Sequence, residues 1–174
     1  TVRDLVLGGG GDAVSFTATA PFTIQNSLVA MTNGTFVGST NVTVGGSVTV
    51  QAGGVLTHVA NGTADAHHLD IAVGGSFTVE EGGKIDVAAK GYARGRGPGW
   101  SGSWYGPSHG GVGSGTGTAG PCYGSIVHPF RCGSGGGTWN VPGYGTPGGG
   151  VVRITAGGEL RVDGAITANG QDYL

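Results

Sequence analysis

Charge is scarce in this chain. Eight Lys and Arg against ten Asp and Glu leave a net charge of −2 over 174 residues. Eight dispersed cations do not form the concentrated basic patch that a phosphate backbone requires, so no nucleic-acid partner is expected. Long apolar runs are also missing. None approaches the ~20 residues that span a bilayer, so no membrane insertion is expected. Cysteine is limited to two residues and methionine to one. The chain opens on Thr1 without a signal-like apolar stretch, which reads as a targeting peptide already removed or left out. No Gly-X-Y period runs through it, which excludes collagen. Glycine, by contrast, is abundant: 41 residues, against a usual share of about 7%. Each glycine inside a helix costs about 1 kcal/mol relative to alanine, so a helical protein is excluded. Clustered Val, Ile, Leu and Thr with little net charge argue against disorder. The length suits one domain with a core of its own.

What the chain does have is an internal repeat. Asn41-Val-Thr-Val-Gly-Gly-Ser-Val-Thr-Val-Gln-Ala-Gly-Gly-Val-Leu-Thr aligns without a gap on Asp70-Ile-Ala-Val-Gly-Gly-Ser-Phe-Thr-Val-Glu-Glu-Gly-Gly-Lys-Ile-Asp, at an offset of 29 residues. A third copy, Arg153-Ile-Thr-Ala-Gly-Gly-Glu-Leu-Arg-Val-Asp-Gly-Ala-Ile-Thr, keeps the first glycine pair and shortens the second to Gly164. Each copy closes on a similar tripeptide, Ala60-Asn61-Gly62, Ala89-Lys90-Gly91 or Ala168-Asn169-Gly170. Within a copy apolar residues alternate, which marks strands with one face in and one face out. Glycine pairs fall where the chain must turn sharply, and glycine alone reaches positive φ without steric cost.

Short strands joined by two-residue corners fit a parallel β-solenoid, in which each strand stacks on its counterpart one repeat away. A β-sandwich also uses short strands and glycine turns, but gives no reason for the same corner to recur. The expected fold is therefore all-β: a parallel β-solenoid, wound as a right-handed β-helix because parallel crossovers are strongly right-handed. Val44, Val73 and Ala156 should be equivalent, as should Val50, Val79 and Val162, and Leu56, Ile85 and Ile166. Regular coils are assigned to residues 41–90 and 151–170. Residues 1–40 read as one or two irregular coils forming a cap.

Residues 91–150 form a long glycine- and aromatic-rich insertion of the same domain, with 22 glycines and both cysteines. A structureless loop of this length would be unusual, so an ordered insertion on one flank is expected. Cys122 and Cys132 lie close enough to close a small loop, and a disulfide between them would stabilise by about 2–3 kcal/mol. Such a bridge implies an oxidising, extracellular or cell-surface setting. Free thiols are the alternative, and two cysteines alone do not make a structural zinc site. Asn33, Asn41 and Asn61 each begin an Asn-x-Thr acceptor. In a eukaryote they would carry glycans; in a bacterium they are Thr-rich strand edges.

Catalytic constellations are not evident, and no enzyme is expected. Gly111-Val-Gly-Ser-Gly and Gly133-Ser-Gly-Gly-Gly imitate phosphate loops, but no Lys-Ser/Thr and no helix follows. Glu80 and Glu81 read as a solvated turn. Asp65, His67, His68 and Asp70 have metal-ligand chemistry, but alternating members of a polar turn point to opposite sides and cannot converge on one ion. No metal and no cofactor are assigned. Trp100, Trp104, Tyr105, Tyr123, Trp139 and Tyr144 could stack on sugar faces, or could form the insertion's own small core.

The Val-x-Val-Gly-Gly-Ser-Val-Thr-Val units, the glycine-rich excursion and the closing Gly148-Gly-Gly-Val-Val-Arg-Ile-Thr-Ala-Gly-Gly-Glu-Leu-Arg-Val-Asp-Gly-Ala-Ile-Thr-Ala-Asn-Gly170 together resemble glycine-rich parallel β-solenoid domains. Such domains occur in large secreted and surface proteins of bacteria and microbial eukaryotes, and the likeness covers residues 41–170. It implies an extracellular structural or adhesive role and supplies no catalytic residues. Two functions are then expected. One is a module of a surface appendage, filament or matrix, with itself as partner in a head-to-tail homopolymer. The other is a carbohydrate-binding module that holds surface glycans on the insertion aromatics.

Overall fold

Short apolar runs bounded by glycine leave room for strands and nothing longer. The computed structural model describes residues 1–102, 106–115, 118–125, 127–137 and 145–172, and among them are fourteen strands and no helix. In chain order the first are β1 (Leu5–Leu7), β2 (Val14–Ala18), β3 (Phe22–Ile24), β4 (Leu28–Ala30) and β5 (Gly34–Gly38). Then come β6 (Asn41–Val44), β7 (Val48–Val50), β8 (Val55–His58), β9 (Leu69–Val73), β10 (Phe77–Val79) and β11 (Lys84–Asp86). Beyond the glycine-rich block lie β12 (Val152–Ala156), β13 (Leu160–Val162) and β14 (Ala165–Thr167).

Every third strand joins the same sheet. The orders are β1-β4-β7-β10-β13, β2-β5-β8-β11-β14 and β3-β6-β9-β12, giving three sheets whose pairs are all parallel. Val2 bridges Ile24 and extends the third sheet. Each rung therefore gives one segment to each sheet, and five rungs are stacked. The expected equivalences hold: Val50 pairs with Val79 and Val79 with Val162, Leu56 with Ile85 and Ile85 with Ile166, and Val44 with Val73 and Val73 with Ala156.

Residues 1–40 contribute β1 to β5 as two rungs in register with the rest. In the second of them Ile24, Leu28, Ala30 and Phe36 are fully enclosed, while inward Leu5, Phe16 and Phe22 are partly exposed. Phe16 stacks on Phe36 at 6.0 Å between ring centroids. One column through the core runs Leu5, Leu28, Val48, Phe77, Leu160. Its spacing along the chain varies from rung to rung, and only the third and fourth rungs repeat without a gap.

The two glycine pairs of each copy answer different constraints. Gly53 and Gly82 do take positive φ, 74° and 78°, and Asn33 holds the same corner at 63° in the rung before. Asn is one of the few residues with a side chain that tolerates this region. Gly45, Gly74 and Gly157 have no positive φ. They are glycine because the corners stack too closely: a Cβ on Gly74 would sit 2.3 Å from the Gly45 carbonyl oxygen, and one on Gly157 2.4 Å from that of Gly74.

The register across the long excursion is held by polar ladders as well as by the core. Arg153 faces Asp70 on the neighbouring strand and grips it with both ends, Nε to Oδ1 at 2.9 Å and a terminal nitrogen to Oδ2 at 2.7 Å. Thr167 donates from Oγ1 to Asp86 Oδ1 at 2.8 Å.

The strands lie in one contact unit, Thr1–Val59, His67–Asp86 and Val152–Thr167. Residues Ala60–Ala66, Val87–Val151 and those from Ala168 onward make a second. In the second unit three glycine-rich segments bond around a closed triangle. Tyr92 N–H donates to Gly133 O at 3.0 Å, Gly133 N–H to Gly149 O at 2.9 Å, and Gly148 N–H to Tyr92 O at 3.0 Å. A flat sheet cannot close in this way, because its first and third strands are ~10 Å apart. The approach also needs glycine, since a Cβ on Gly148 would lie 2.0 Å from the Gly133 oxygen. The described segments around this triangle are held by backbone bonds that glycine permits.

If the column is the core of the first unit, its members should differ sharply in weight. Phe77→Ala, at a fully buried site, is expected to cost about 3–5 kcal/mol of unfolding free energy. Leu160→Ala, in the same column but 53% exposed, should cost less than about 1 kcal/mol. Urea denaturation of the two variants checks the contrast.

Candidate functional site

The last rung departs from the pattern that the third and fourth obey. Phe77, Val79 and Ile85 are fully buried, yet their partners on the next strands, Leu160, Val162 and Ile166, are 53%, 42% and 45% exposed. The residues belong to inward columns, so their exposure comes from the absence of a covering layer rather than from their direction. Together with half-buried Ile154 and Ala156 they form a contiguous apolar face on β12, β13 and β14. Scattered exposed apolar residues are ordinary on a protein surface, but a contiguous patch marks a contact site.

The polar residues beside this face continue a ladder. Asp4, Ser27, Ser47, Ser76 and Glu159 each precede the first residue of a strand in the β1-β4-β7-β10-β13 sheet. In three of the four steps the side-chain oxygen of one accepts from the backbone of the next. Ser27 N–H and Oγ–H donate to Asp4 Oδ1 at 3.1 and 2.8 Å, Ser76 N–H to Ser47 Oγ at 3.3 Å, and Glu159 N–H to Ser76 Oγ at 3.3 Å. Asn26 adds a bond from Nδ2 to Asp4 Oδ2 at 3.2 Å. The Ser27 and Asn26 bonds hold the Asp4 carboxyl below its ordinary pKa, with Arg3 adding a smaller effect.

In the second unit the structure corrects the expected disulfide. Cys122 is exposed and Cys132 buried, and no disulfide joins them. Cys132 is committed elsewhere: Asn61 Nδ2 donates to its sulfur at 3.2 Å, and its thiol hydrogen-bonds to Asp65. Tyr123 Oη donates to the Cys132 carbonyl at 2.6 Å and accepts from Ser134 Oγ at 2.8 Å. Asp65 pairs with Arg131 at 3.5 Å. Burial is the main cause that pushes the Cys132 thiol up to about 12, and Asp65 adds to it while the Asn61 bond opposes it. Burial likewise raises the Tyr92 and Tyr123 hydroxyls. The insertion is closed by this cluster and by its backbone bonds, without a covalent bridge. The oxidising setting loses the support that a disulfide would have given it.

The same cluster removes one glycosylation acceptor. Asn61 is 5% exposed, donates from Nδ2 to Lys90 O at 3.1 Å, and accepts at Oδ1 from Ala66 N–H at 2.8 Å. Its amide is not available to a glycan. Asn33 and Asn41 are exposed, with Asn33 Nδ2 donating to Gly10 O at 3.1 Å and Asn41 Oδ1 meeting His68 Nε2 at 3.2 Å.

Among the insertion aromatics, Trp104, Tyr105, Trp139 and Tyr144 lie outside the described residues. Trp100 is 38% exposed. Tyr123 works inside the cluster around Cys132 and also meets His109 edge-on at 4.7 Å. An open cleft is lined by His109, Cys122, Tyr123 and Ser125. The turn residues with metal-ligand chemistry take separate partners: Asp65 engages Arg131, Asp70 engages Arg153, and His68 meets Asn41. Glu80 and Glu81 flank a surface hollow with Arg161 and Asp163.

Sequence reasoning missed the pairing of Asn61 and Asp65 with Cys132. A partial signal was present in the repeated tripeptides, which do meet: Asn61 N–H donates to Lys90 O at 3.0 Å, and Ala89 N–H to Asn169 O at 2.9 Å. Comparison with family models, with curated proteins and with solved structures returns no match to this chain.

The thiol geometry has a direct readout. One cysteine, Cys122, should react with a thiol reagent in the native protein at neutral pH, and two after denaturation; two unreactive sulfurs in denaturant would mean a bridge. With the folded Cys132 thiol near 12 and an unfolded one near ~8.5, the folded state keeps a proton that the unfolded state loses. Stability is expected to be intact below about pH 8.5 and to fall as pH rises towards 12.

Proposed function

We propose that the chain is a right-handed parallel β-solenoid of the glycine-rich secreted or surface type, and that it acts as a structural module by associating through the apolar face on β12, β13 and β14. The carrying observation is the exposure of Leu160, Val162 and Ile166, whose column neighbours Phe77, Val79 and Ile85 are fully buried. An uncovered β layer presents apolar side chains and unpaired backbone groups together, which makes it a template for further strands. The net charge of −2 offers little self-repulsion between copies. The rotation of successive strands through three sheets supports the solenoid reading, and the repeat motifs support the likeness to surface proteins. Exposed Asn33 and Asn41 are compatible with an extracellular setting. The carbohydrate-binding alternative keeps Trp100 as its one exposed aromatic among the described residues of its set, so self-association is the reading advanced.

Sedimentation velocity over a range of concentrations tests it. The 174-residue chain should form oligomers, and Leu160→Asp should weaken that association at least tenfold, since it places a carboxylate in an apolar contact. A monomer at every concentration, or association indifferent to Leu160→Asp, would overturn the reading.

A further inference from the structure

We propose that the partner at this face is a second copy of the same chain, docked head to tail and in register, with Leu5 of one copy over Leu160 of the other and Glu159 clasped by Arg3. The inference rests on the self-association reading and specifies its geometry. Three series of contacts inside the molecule, each continued by one step, define it.

The first series runs along the start of each strand in the β1-β4-β7-β10-β13 sheet. Leu5 N–H donates to Ser27 O, Leu28 to Ser47, Val48 to Ser76 and Phe77 to Glu159, at 2.8–3.1 Å. The next donor is Leu160 N–H at one end of the stack, and the acceptor that matches it is the Asp4 carbonyl at the other. The second series runs the opposite way at the strand ends. Met31 N–H donates to Leu7 O, Gln51 to Ala30, Glu80 to Val50 and Asp163 to Val79, at 2.8–2.9 Å. Its continuation takes Gly8 N–H of the second copy to Val162 O. Both series continue only if the copies point the same way and keep register. A tail-to-tail pair would reverse the strands into antiparallel pairing and leave the Asp4 carbonyl and Gly8 N–H outside the contact.

The third series is the polar ladder beside the core. In three of its four steps a backbone N–H, from Ser27, Ser76 or Glu159, donates to the side-chain oxygen of the rung before, and the carboxylate of Asp4 also receives Asn26, the residue preceding Ser27. At the junction Glu159 takes the place of Asp4, and Asp4 of the second copy takes the place of Ser27. The residue preceding it is Arg3, which brings a guanidinium where Asn26 brings an amide. Arg3 and Glu159 are both exposed and of opposite charge. Arg161 is already paired with Asp163 at 2.7 Å, so it does not compete for Glu159. The apolar parts match as well, with partly exposed Leu5 and Phe16 on one end facing Leu160 and Ile166 on the other. A head-to-tail contact of this kind is heterologous and propagates as a fibre unless its rotation closes a ring.

Charge reversal tests the register. Sedimentation velocity on the full chain would compare wild type, Leu160→Asp, Arg3→Glu, Glu159→Arg and the double variant Arg3→Glu/Glu159→Arg, with circular dichroism to confirm folding. Each single reversal is expected to weaken association about fivefold, and the double to recover to within about twofold of wild type, as an exposed ion pair at the junction implies. In high salt the differences should shrink. If Leu160→Asp abolishes association but the double variant is no better than the singles, the register is overturned while the face still mediates contact. If wild type does not associate, or Leu160→Asp has no effect, both this inference and the reading beneath it fall.

Discussion

Strands of three to five residues bury almost nothing on their own, so every rung of the stack depends on the rung beside it. The dependence is visible in Phe77, which is fully enclosed only because Val48 and Leu160 lie on either side of it in the column. It is visible again in Leu160, which has one neighbour and is half exposed. Stability in such an array is a sum of nearest-neighbour contacts, and the outermost layer is always the weak one. The corners add a steric condition to the same stacking. Gly74 is glycine because the carbonyl of Gly45 lies beneath it, so the repeat in the sequence records contacts between rungs as much as conformation within them.

The second unit meets the burial problem differently. Residues 91–150 hold 22 glycines and few aliphatic side chains, and the described ones bond backbone to backbone in more than one direction. Tyr92, Gly133 and Gly148–Gly149 close a triangle of main-chain bonds that side chains would prevent. Beside a small buried cluster of Tyr92, Cys132 and Val151, polar side chains enter as mutually bonded groups. Cys132, Asn61, Asp65 and Arg131 form one such group, and Tyr123 joins it through the Cys132 carbonyl and Ser134.

Much of the first unit was legible because period-two alternation and recurring corners are local signals. They set the register of β6 to β11 and carried it across the excursion to β12, β13 and β14. The rungs of residues 1–40 were harder to see, since Asn33 stands at a corner where later copies have Gly53 and Gly82, and the interval between equivalent residues changes. The glycine pairs were read for positive φ, which suits Gly53 and Gly82; the close stacking at Gly45, Gly74 and Gly157 is a tertiary fact that no local pattern reports. The thiols were misread for the same reason. Their spacing describes only the loop between them, whereas the partners of Cys132 come from 61 and 65, some seventy positions away. Leu160, Val162 and Ile166 were placed in the right columns, and the open end of the stack expected from the sequence is met by their exposure.

Association through this end requires a further layer over β12, β13 and β14. Hydrogen–deuterium exchange of the intact chain, measured at low and high concentration, addresses this at the residues concerned. Protection of the amides of 160–166 and of 5–8 should rise together with concentration, while those of 77–79 remain protected throughout. Exchange at 160–166 that stays fast and independent of concentration would contradict it.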